Sequence, residues 1–271
     1  MSFTLQRKCG IGVPPMKKTN MANMAGTAMP LNEKQFKPVK NGGNRPFVVA
    51  HFAMTADGKT GTRASTPARF TSPSDKAHLQ EIRAGADAVM ACRGTVETDS
   101  TGLGISRRDL RGDRVSRGLP PVPLRVIISN SGRLDPGSKA FRYSASLIVV
   151  FSTRRMPERL HAAIARNADL FLFPAPSVDF RKALEILRAE FGVKRLVCEG
   201  DGNLLRSLAS LDLVDRICLT VAPVIFGGHL APTLTGLPGG FLDPPREFEI
   251  VRQSVHDGEC RLELARKKRG T

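Results

Sequence analysis

The sequence predicts an α/β fold: a mixed, mostly parallel sheet flanked by helices and closed by a C-terminal antiparallel hairpin. Three observations carry this expectation. Short apolar runs of strand length alternate with stretches of helical spacing along most of the chain. The runs are continuous rather than alternating, as suits strands covered on both faces. From Phe248 the pattern changes to alternation, with Asp257–Gly258 as the turn between strands at Glu249–Val255 and Arg261–Leu264.

Composition bounds the function. The chain has 271 residues and 41% hydrophobic content, enough for a genuine core. No apolar run is long enough to span a bilayer, and no apolar stretch near the N-terminus has the character of a secretory signal. Five cysteines, at positions 9, 92, 198, 218 and 260, form no C-x-x-C pair. They read as reduced thiols of a cytoplasmic protein, without a metal site. The net charge is +16. Much of it lies in the flanks, at Arg7, Lys8, Lys17 and Lys18 and again at Arg266–Arg269. No Trp and one Tyr leave little for base stacking, so nucleic acid is not the expected partner. An acidic small substrate with a phosphate-bearing cofactor accounts for the charge equally well.

Residues 1–44 lack apolar periodicity and read as a basic, disordered extension, with one folded domain over 45–271. The run Phe47–Ala53 is the first strand and ends in Asp57, Gly58 and Lys59, a turn that places Asp57 and Lys59 at a strand end. Ser72, Pro73 and Asp75 start a helix with cap, first-position proline and acidic third position, and Gly85 closes it. A strand at Ala88–Ala91 leads to a turn with Gly94 and Thr95 at its tip, where a backbone N–H and a hydroxyl suit a phosphate. Between Ser100 and Pro123, an arginine-rich segment with Leu103, Ile105, Leu110 and Val115 suggests a short surface helix on a solvated connection. Strands resume at Arg125–Ser129 and Ser146–Phe151. The second ends in Ser152, Thr153, Arg154 and Arg155, hydroxyls and guanidinia that suit a 2′-phosphate and so favour NADPH. After a strand near Leu170–Phe173, Ser177 is expected to cap a helix with an apolar stripe from Phe180 to Phe191, ended by Gly192.

The stretch from Leu196 to Gly228 is the most informative. The buried run Leu196–Cys198 breaks at Glu199, Gly200, Asp201 and Gly202, and helical spacing starts at Asn203. Strand, glycine turn and helix N-terminus together offer free N–H groups and the positive end of a helix dipole to a phosphate. The third glycine of a dinucleotide fingerprint is absent.

Four stretches together carry a resemblance: FAMTADGKT (52–60), RFTSPSDKAHLQEIRAGADAVMACRGTVETD (69–99), LRVIIS (124–129), and LVCEGDGNLL (196–205) with LVDRICLTVAPVIFGGHLAPT (213–233). In order and spacing the chain resembles the reductase of riboflavin biosynthesis, as the C-terminal half of a bifunctional deaminase–reductase or as the stand-alone archaeal and fungal enzyme. The resemblance implies a dihydrofolate-reductase-like fold, a homodimer, and NADPH bound at the strand C-termini. It also implies reduction of the ribosyl group of a phosphorylated aminopyrimidine to ribityl. By position, it implies cofactor contacts at Thr95, Asp99, Ser129, Gly200, Asp201, Gly202 and Asn203; Gly94, Ser152, Arg154 and Leu204 are cofactor candidates from the residues of the same junctions themselves. Substrate contacts are implied at Thr71, Arg83 and Glu199, with Asp57 and Lys59 lining the pocket. Lys59, or a water held by Asp57, is the expected proton source for carbonyl reduction. Arg83 has a second reading, as the partner of a carboxylate. The zinc signature of a deaminase, H-x-E with P-C-x-x-C, does not occur, so a stand-alone reductase is expected. Asp201 replaces the second glycine of the family's usual E-G-G turn, and Leu205 replaces a frequent Asn. Two rivals remain at this point: a reductase of another pterin, folate-like or carbonyl compound, and a non-catalytic nucleotide- or RNA-binding protein on the same fold.

Overall fold

The computed structural model describes residues 43–62, 70–98, 102–142, 146–174, 176–200, 202–237 and 240–267. The expected extension therefore lies outside the described residues except for Gly43 and Asn44, as do Asp99 and Asp201. In chain order, β1 (Phe47–Thr55) is followed by α1 (Pro73–Ala84), β2 (Ala88–Cys92) and α2 (Arg93–Thr98). Next come α3 (Arg108–Ser116), β3 (Leu124–Ser129), α4 (Lys139–Arg142) and β4 (Ile148–Thr153). Then follow α5 (Glu158–Ala165), β5 (Asp169–Phe173), α6 (Phe180–Phe191) and β6 (Arg195–Glu199). The last elements are α7 (Gly202–Ser210), β7 (Arg216–Ala222), β8 (Phe248–His256) and β9 (Glu259–Arg266).

All nine strands form one sheet in the order β5-β4-β3-β2-β6-β1-β7-β9-β8. The strands from β5 to β7 are mutually parallel, and the β8–β9 hairpin adds antiparallel strands at the β7 edge. This is the expected mixed sheet with its C-terminal hairpin. Alternation along β1 divides the core in two. Val48, Ala50 and Phe52 pack with Leu184 and Leu187 of α6 and Leu204 and Leu208 of α7. Val49 faces the other way, with Ile82 of α1, Ile127 of β3 and Ile164 of α5.

Helix α1 begins as its residues dictate: the Ser72 hydroxyl accepts from the Asp75 N–H at 3.1 Å, and Pro73 occupies the first turn, where its missing N–H costs nothing. Its inward face is unusual, because Asp75, Gln80 and Arg83 are buried beside Ile82 and Ala84. A helix that buries polar groups must satisfy them, and those groups prove to be the floor of a cleft.

Several expectations need correction. Gly94 and Thr95 sit inside the short helix α2 rather than on a turn; six residues with a glycine among them carry too little periodicity to be read. The α6 cap is Asp179, whose carboxylate accepts from the Lys182 N–H, and not Ser177. Strand β4 starts at Ile148 and takes in Ser152 and Thr153. Helices α4 and α5 had no clear sequence signature. The arginine-rich segment holds the expected surface helix, α3, and most of its residues are exposed, but one of its arginines is not. Arg114 is buried and donates to the carbonyls of Ala84, Ala86 and Pro120 at 2.6–2.9 Å, with burial lowering its pKa to about 10.

Arg114 closes the C-terminal end of α1 onto the sheet, so Arg114→Leu is expected to strand the Ala86 and Pro120 carbonyls and leave the Ala84 carbonyl to Arg117. The loss should be about 2–4 kcal/mol, read as a lower urea midpoint at unchanged m-value.

Candidate active site

The C-terminal ends of β1 and β6, together with α1 above them and Thr95 of α2, enclose a cleft of about 700 Å³. It lies where open α/β sheets collect ligands, outside the carboxyl ends of the strands. His51, Phe52 and Ala53 of β1 and Glu199 and Gly200 of β6 form its floor. One wall is the polar face of α1 with Thr71 before it, and Ser106 and Arg107 close the side.

An ion pair dominates the floor. Arg83 Nε donates to Glu199 Oε1 at 2.8 Å and Nη2 to Oε2 at 2.6 Å, a two-point fork. Arg83 Nη1 donates to the Gly104 carbonyl at 2.8 Å. Arg83 thus takes the carboxylate-pairing reading while still lining the cleft. Around it, Gln80 Oε1 accepts from the Ser106 N–H at 2.7 Å, and Asp75 Oδ1 accepts from Thr220 Oγ1 at 2.6 Å. Arg107 pairs with Glu81 at 3.2 Å. His51 is buried, its Nε2 has no hydrogen-bond partner among the described residues, and burial holds its pKa below the usual imidazole value.

The glycines of the turn make close contacts within the protein. Gly200 has φ +95°, and a Cβ there would stand 2.0 Å from Thr95 Oγ1. A Cβ on Gly202 would stand 2.3 Å from the Gly236 N and 2.6 Å from the Thr233 O. Glycine is required at both positions because protein backbone and Thr95 fill the space. Thr233 also bridges to Lys59, and the Thr60 N–H donates to the Pro232 carbonyl at 2.9 Å. Through this 232–236 segment the stretch containing Asp57 and Lys59 is joined to the N-terminus of α7.

The structure places the expected site residues unevenly. Thr71, Arg83, Glu199, Thr95 and Gly200 line one cleft. Thr60 lines it too, whereas its neighbours Asp57 and Lys59 stand outside the lining. Asp57 is instead a loop anchor: its carboxylate accepts from Thr55 Oγ1 at 2.5 Å, Phe226 N at 3.2 Å and Gly227 N at 2.7 Å. These bonds, that from Thr55 foremost, hold its pKa at about 2, so it is an anion and no proton donor near neutrality. Gly94 precedes Thr95 in α2, and Asn203 touches the 233–236 turn from α7. The Leu204 side chain is buried in the core, leaving only its backbone for a ligand. Ser129 and Ser152 lie at the ends of β3 and β4; the Ser152 hydroxyl proton is used inside the protein, whereas the Ser129 hydroxyl serves there as an acceptor. Ser152 Oγ donates to the Ser129 carbonyl at 2.7 Å, and Ser129 Oγ accepts from Gly132 N at 3.1 Å. Arg154 is exposed beyond β4, with no ion pair among the described residues. Sequence reasoning missed His51, Asp75, Lys76, Gln80 and Arg107. The polar positions 75, 76, 80 and 83 recurring on one face of α1 were the available signal.

A sequence profile of the RibD C-terminal domain matches residues 46–252. The chain belongs to this family. Among RibD-type relatives, the 2,5-diamino-6-ribosylamino-4(3H)-pyrimidinone 5′-phosphate reductase of Archaeoglobus fulgidus is 32% identical over 190 residues, covering 70% of this chain and 86% of that protein. The reductase of the same name from Methanothermobacter thermautotrophicus is 31% identical, covering 70% and 83%. In fold, a pyrimidine reductase-like protein from Corynebacterium diphtheriae superposes with a TM-score of 0.72 at 20% identity, over 83% of this chain and 93% of that one. Acinetobacter baumannii RibD superposes with a TM-score of 0.66 at 21% identity, over 83% of this chain and 58% of that one.

Gly200→Ala is expected to lower stability by about 2–4 kcal/mol, through backbone strain and the clash with Thr95. Adding Thr95→Ala should recover only part, as urea unfolding would register. The Asp57 anchor gives a pH signature. Its folded pKa lies below the ordinary aspartate value of 3.8, so its contribution is complete above that value and fades as pH falls toward about 2. Asp57→Asn should therefore lose less stability than wild type over that window, measured by urea midpoints at its two ends.

Proposed function

We propose that this chain is the NADPH-dependent reductase that converts the ribosyl group of a phosphorylated (di)aminopyrimidine to ribityl in riboflavin biosynthesis. The observation that carries the reading is the strand-end cleft floored by the Arg83–Glu199 pair, in a chain of the RibD C-terminal domain family. Its cavity is large enough for a pyrimidine and sugar beside a nicotinamide.

The residues present fit the cofactor. The C-terminal ends of β6, β2, β3 and β4 form a continuous strip from the cleft outward, as the strand order requires. Thr95 and Gly200 stand at its inner end. Arg154 and Arg155 are exposed at its outer end and suit a 2′-phosphate. The cofactor supplies the hydride. The protein must then hold the substrate, exclude water and deliver one proton to the atom that gains the electron pair.

Substrate selection falls to the α1 side. Lys76 puts positive charge at the cleft wall for the substrate phosphate, since Arg83 is already neutralised by Glu199 and Arg107 by Glu81 and Asp109. Glu199 keeps a carboxylate at the floor for ring N–H groups. The proton comes from a water held by the anionic Asp57 or from Lys59, which precedes Thr60 of the cleft lining. The Lys59 ammonium has no ion pair among the described residues, while its backbone is locked to Thr55. The cysteines of the described residues are free thiols, and burial pushes Cys218 up to about 12, which suits a reducing cytoplasm. A homodimer through the hairpin completes the reading: Ile250 and Val255 of β8 are 60% and 71% exposed on an unpaired edge.

NADPH consumption should be measured by its absorbance, with the deaminated and non-deaminated ribosylaminopyrimidine phosphates offered separately. Turnover of one of them is expected; NADPH binding without turnover of either would point to another carbonyl or pterin substrate. Arg154→Ala with Arg155→Ala should shrink the NADPH-over-NADH preference at least about tenfold. Lys59→Ala should lower kcat by about 10²-fold or more while leaving NADPH affinity near wild type.

A further inference from the structure

The first turn of α1 carries much of the substrate wall, through Asp75 and Lys76 with Thr71 just before it. The hairpin holds that turn in place. Glu259, the first residue of β9, is 3% exposed, and both its carboxylate oxygens are taken by one residue. The Ser72 N–H donates to Oε1 at 2.6 Å, and Ser72 Oγ donates to Oε2 at 2.6 Å. Because the Ser72 hydroxyl proton is committed to Glu259, its lone pair is left to accept from the Asp75 N–H at 3.1 Å, the bond that caps the helix. Two residues along β9, Arg261 Nη2 donates to Ser74 Oγ at 2.7 Å. From the neighbouring β7, Thr220 Oγ1 donates to Asp75 Oδ1 at 2.6 Å. Three successive features of one helical turn are therefore set from the antiparallel end of the sheet.

We infer that Glu259 is a positioning residue for the substrate half of the cleft, fixing Thr71, Asp75 and Lys76 through Ser72 and so making substrate affinity depend on the β8–β9 hairpin. Among the described residues, the cofactor half, built on Thr95, Gly200 and the ends of β3 and β4, makes no hydrogen bond or ion pair with Glu259. A carboxylate is needed, because only an ionised acid accepts at both oxygens; a glutamine would present an NH2 group to one of the two Ser72 donors. The inference rests on the reductase reading for its kinetic arm and is independent of it for the other two.

The experiment compares wild type, Glu259→Gln, Glu259→Asp and Ser72→Ala in the full chain by three measurements. These are KM and kcat for the ribosylaminopyrimidine phosphate that turns over, NADPH affinity by fluorescence titration, and amide hydrogen exchange across residues 72–76. Glu259→Gln is expected to raise KM about tenfold, with kcat within about twofold and NADPH affinity unchanged. Exchange at Asp75 and Lys76 should quicken about tenfold or more, and Glu259→Asp should recover part of each change. Ser72→Ala removes the hydroxyl from the other side. Combined with Glu259→Gln, it should cost less than the sum of the two single changes. The inference is overturned if KM stays at the wild-type value, or if KM and NADPH affinity worsen together in step with a falling Tm. If wild type turns over neither pyrimidine, the functional reading fails on its own. In that event, quickened exchange confined to residues 72–76 with NADPH affinity kept supports the positioning role, and unchanged exchange refutes it.

Discussion

The buried pair between Arg83 and Glu199 is the constraint on which the cleft depends. Its side chains are 3% and 6% exposed, so both charges have left water, a transfer that is costly unless geometry and further hydrogen bonds offset it. Here the fork is two-pointed and the Gly104 carbonyl takes another guanidinium N–H. The pair ties α1 to β6 and draws the 102–107 segment against both. That explains why α1 buries polar residues where an ordinary surface helix would bury leucines. Removing either partner would leave an uncompensated charge at the base of the cleft, which makes the pair a specification of register as well as of chemistry.

The same economy runs through the other arginines. A net charge of +16 suggests a polyanion surface, yet many guanidinia of the folded part are internal donors. Arg114 ties the end of α1 down, Arg125 reaches the Ser146 carbonyl, and Arg246 reaches the carbonyls of Ala209 and Ser210 at the end of α7. Arginine does this well because its planar fork satisfies several loop carbonyls at once, and loops are where unpaired carbonyls accumulate. The charge is thus partly a by-product of how the connections are fastened.

The physics of each element explains which parts were readable in the sequence. Strands covered on both faces, the α1 cap, the αL stop at Gly192 and the Asp257–Gly258 hairpin are local signals, and all appear in the structure. Helix α2 was missed because six residues carry too little periodicity. The Ser177 cap was displaced by Asp179, a stronger acceptor nearer the apolar stripe. At the site, the sequence pointed to the right stretches but not to the roles within them. Asp57 became a loop anchor because Phe226 and Gly227, far along the chain, turn their N–H groups onto it. Ser152 spent its hydroxyl on a neighbouring strand. The glycines of the turn serve contacts with Thr95 and Gly236 that no local pattern announces. Function within the stretches is thus decided by long-range partners.

The strand order has a consequence for how the chain is made. β1 leaves the ribosome long before its neighbours β6 and β7, with which it pairs Phe47 to Arg195 and Val49 to Arg216. At ordinary rates of synthesis, its apolar face waits roughly ten to thirty seconds for those partners to emerge. Throughout that interval Val48, Val49, Ala50 and Phe52 form a β-prone run without a sheet to join, a segment of the kind that chaperones shield. The centre of the finished sheet is therefore completed later than the β2–β5 side, and the nascent chain is vulnerable where the mature protein is best protected.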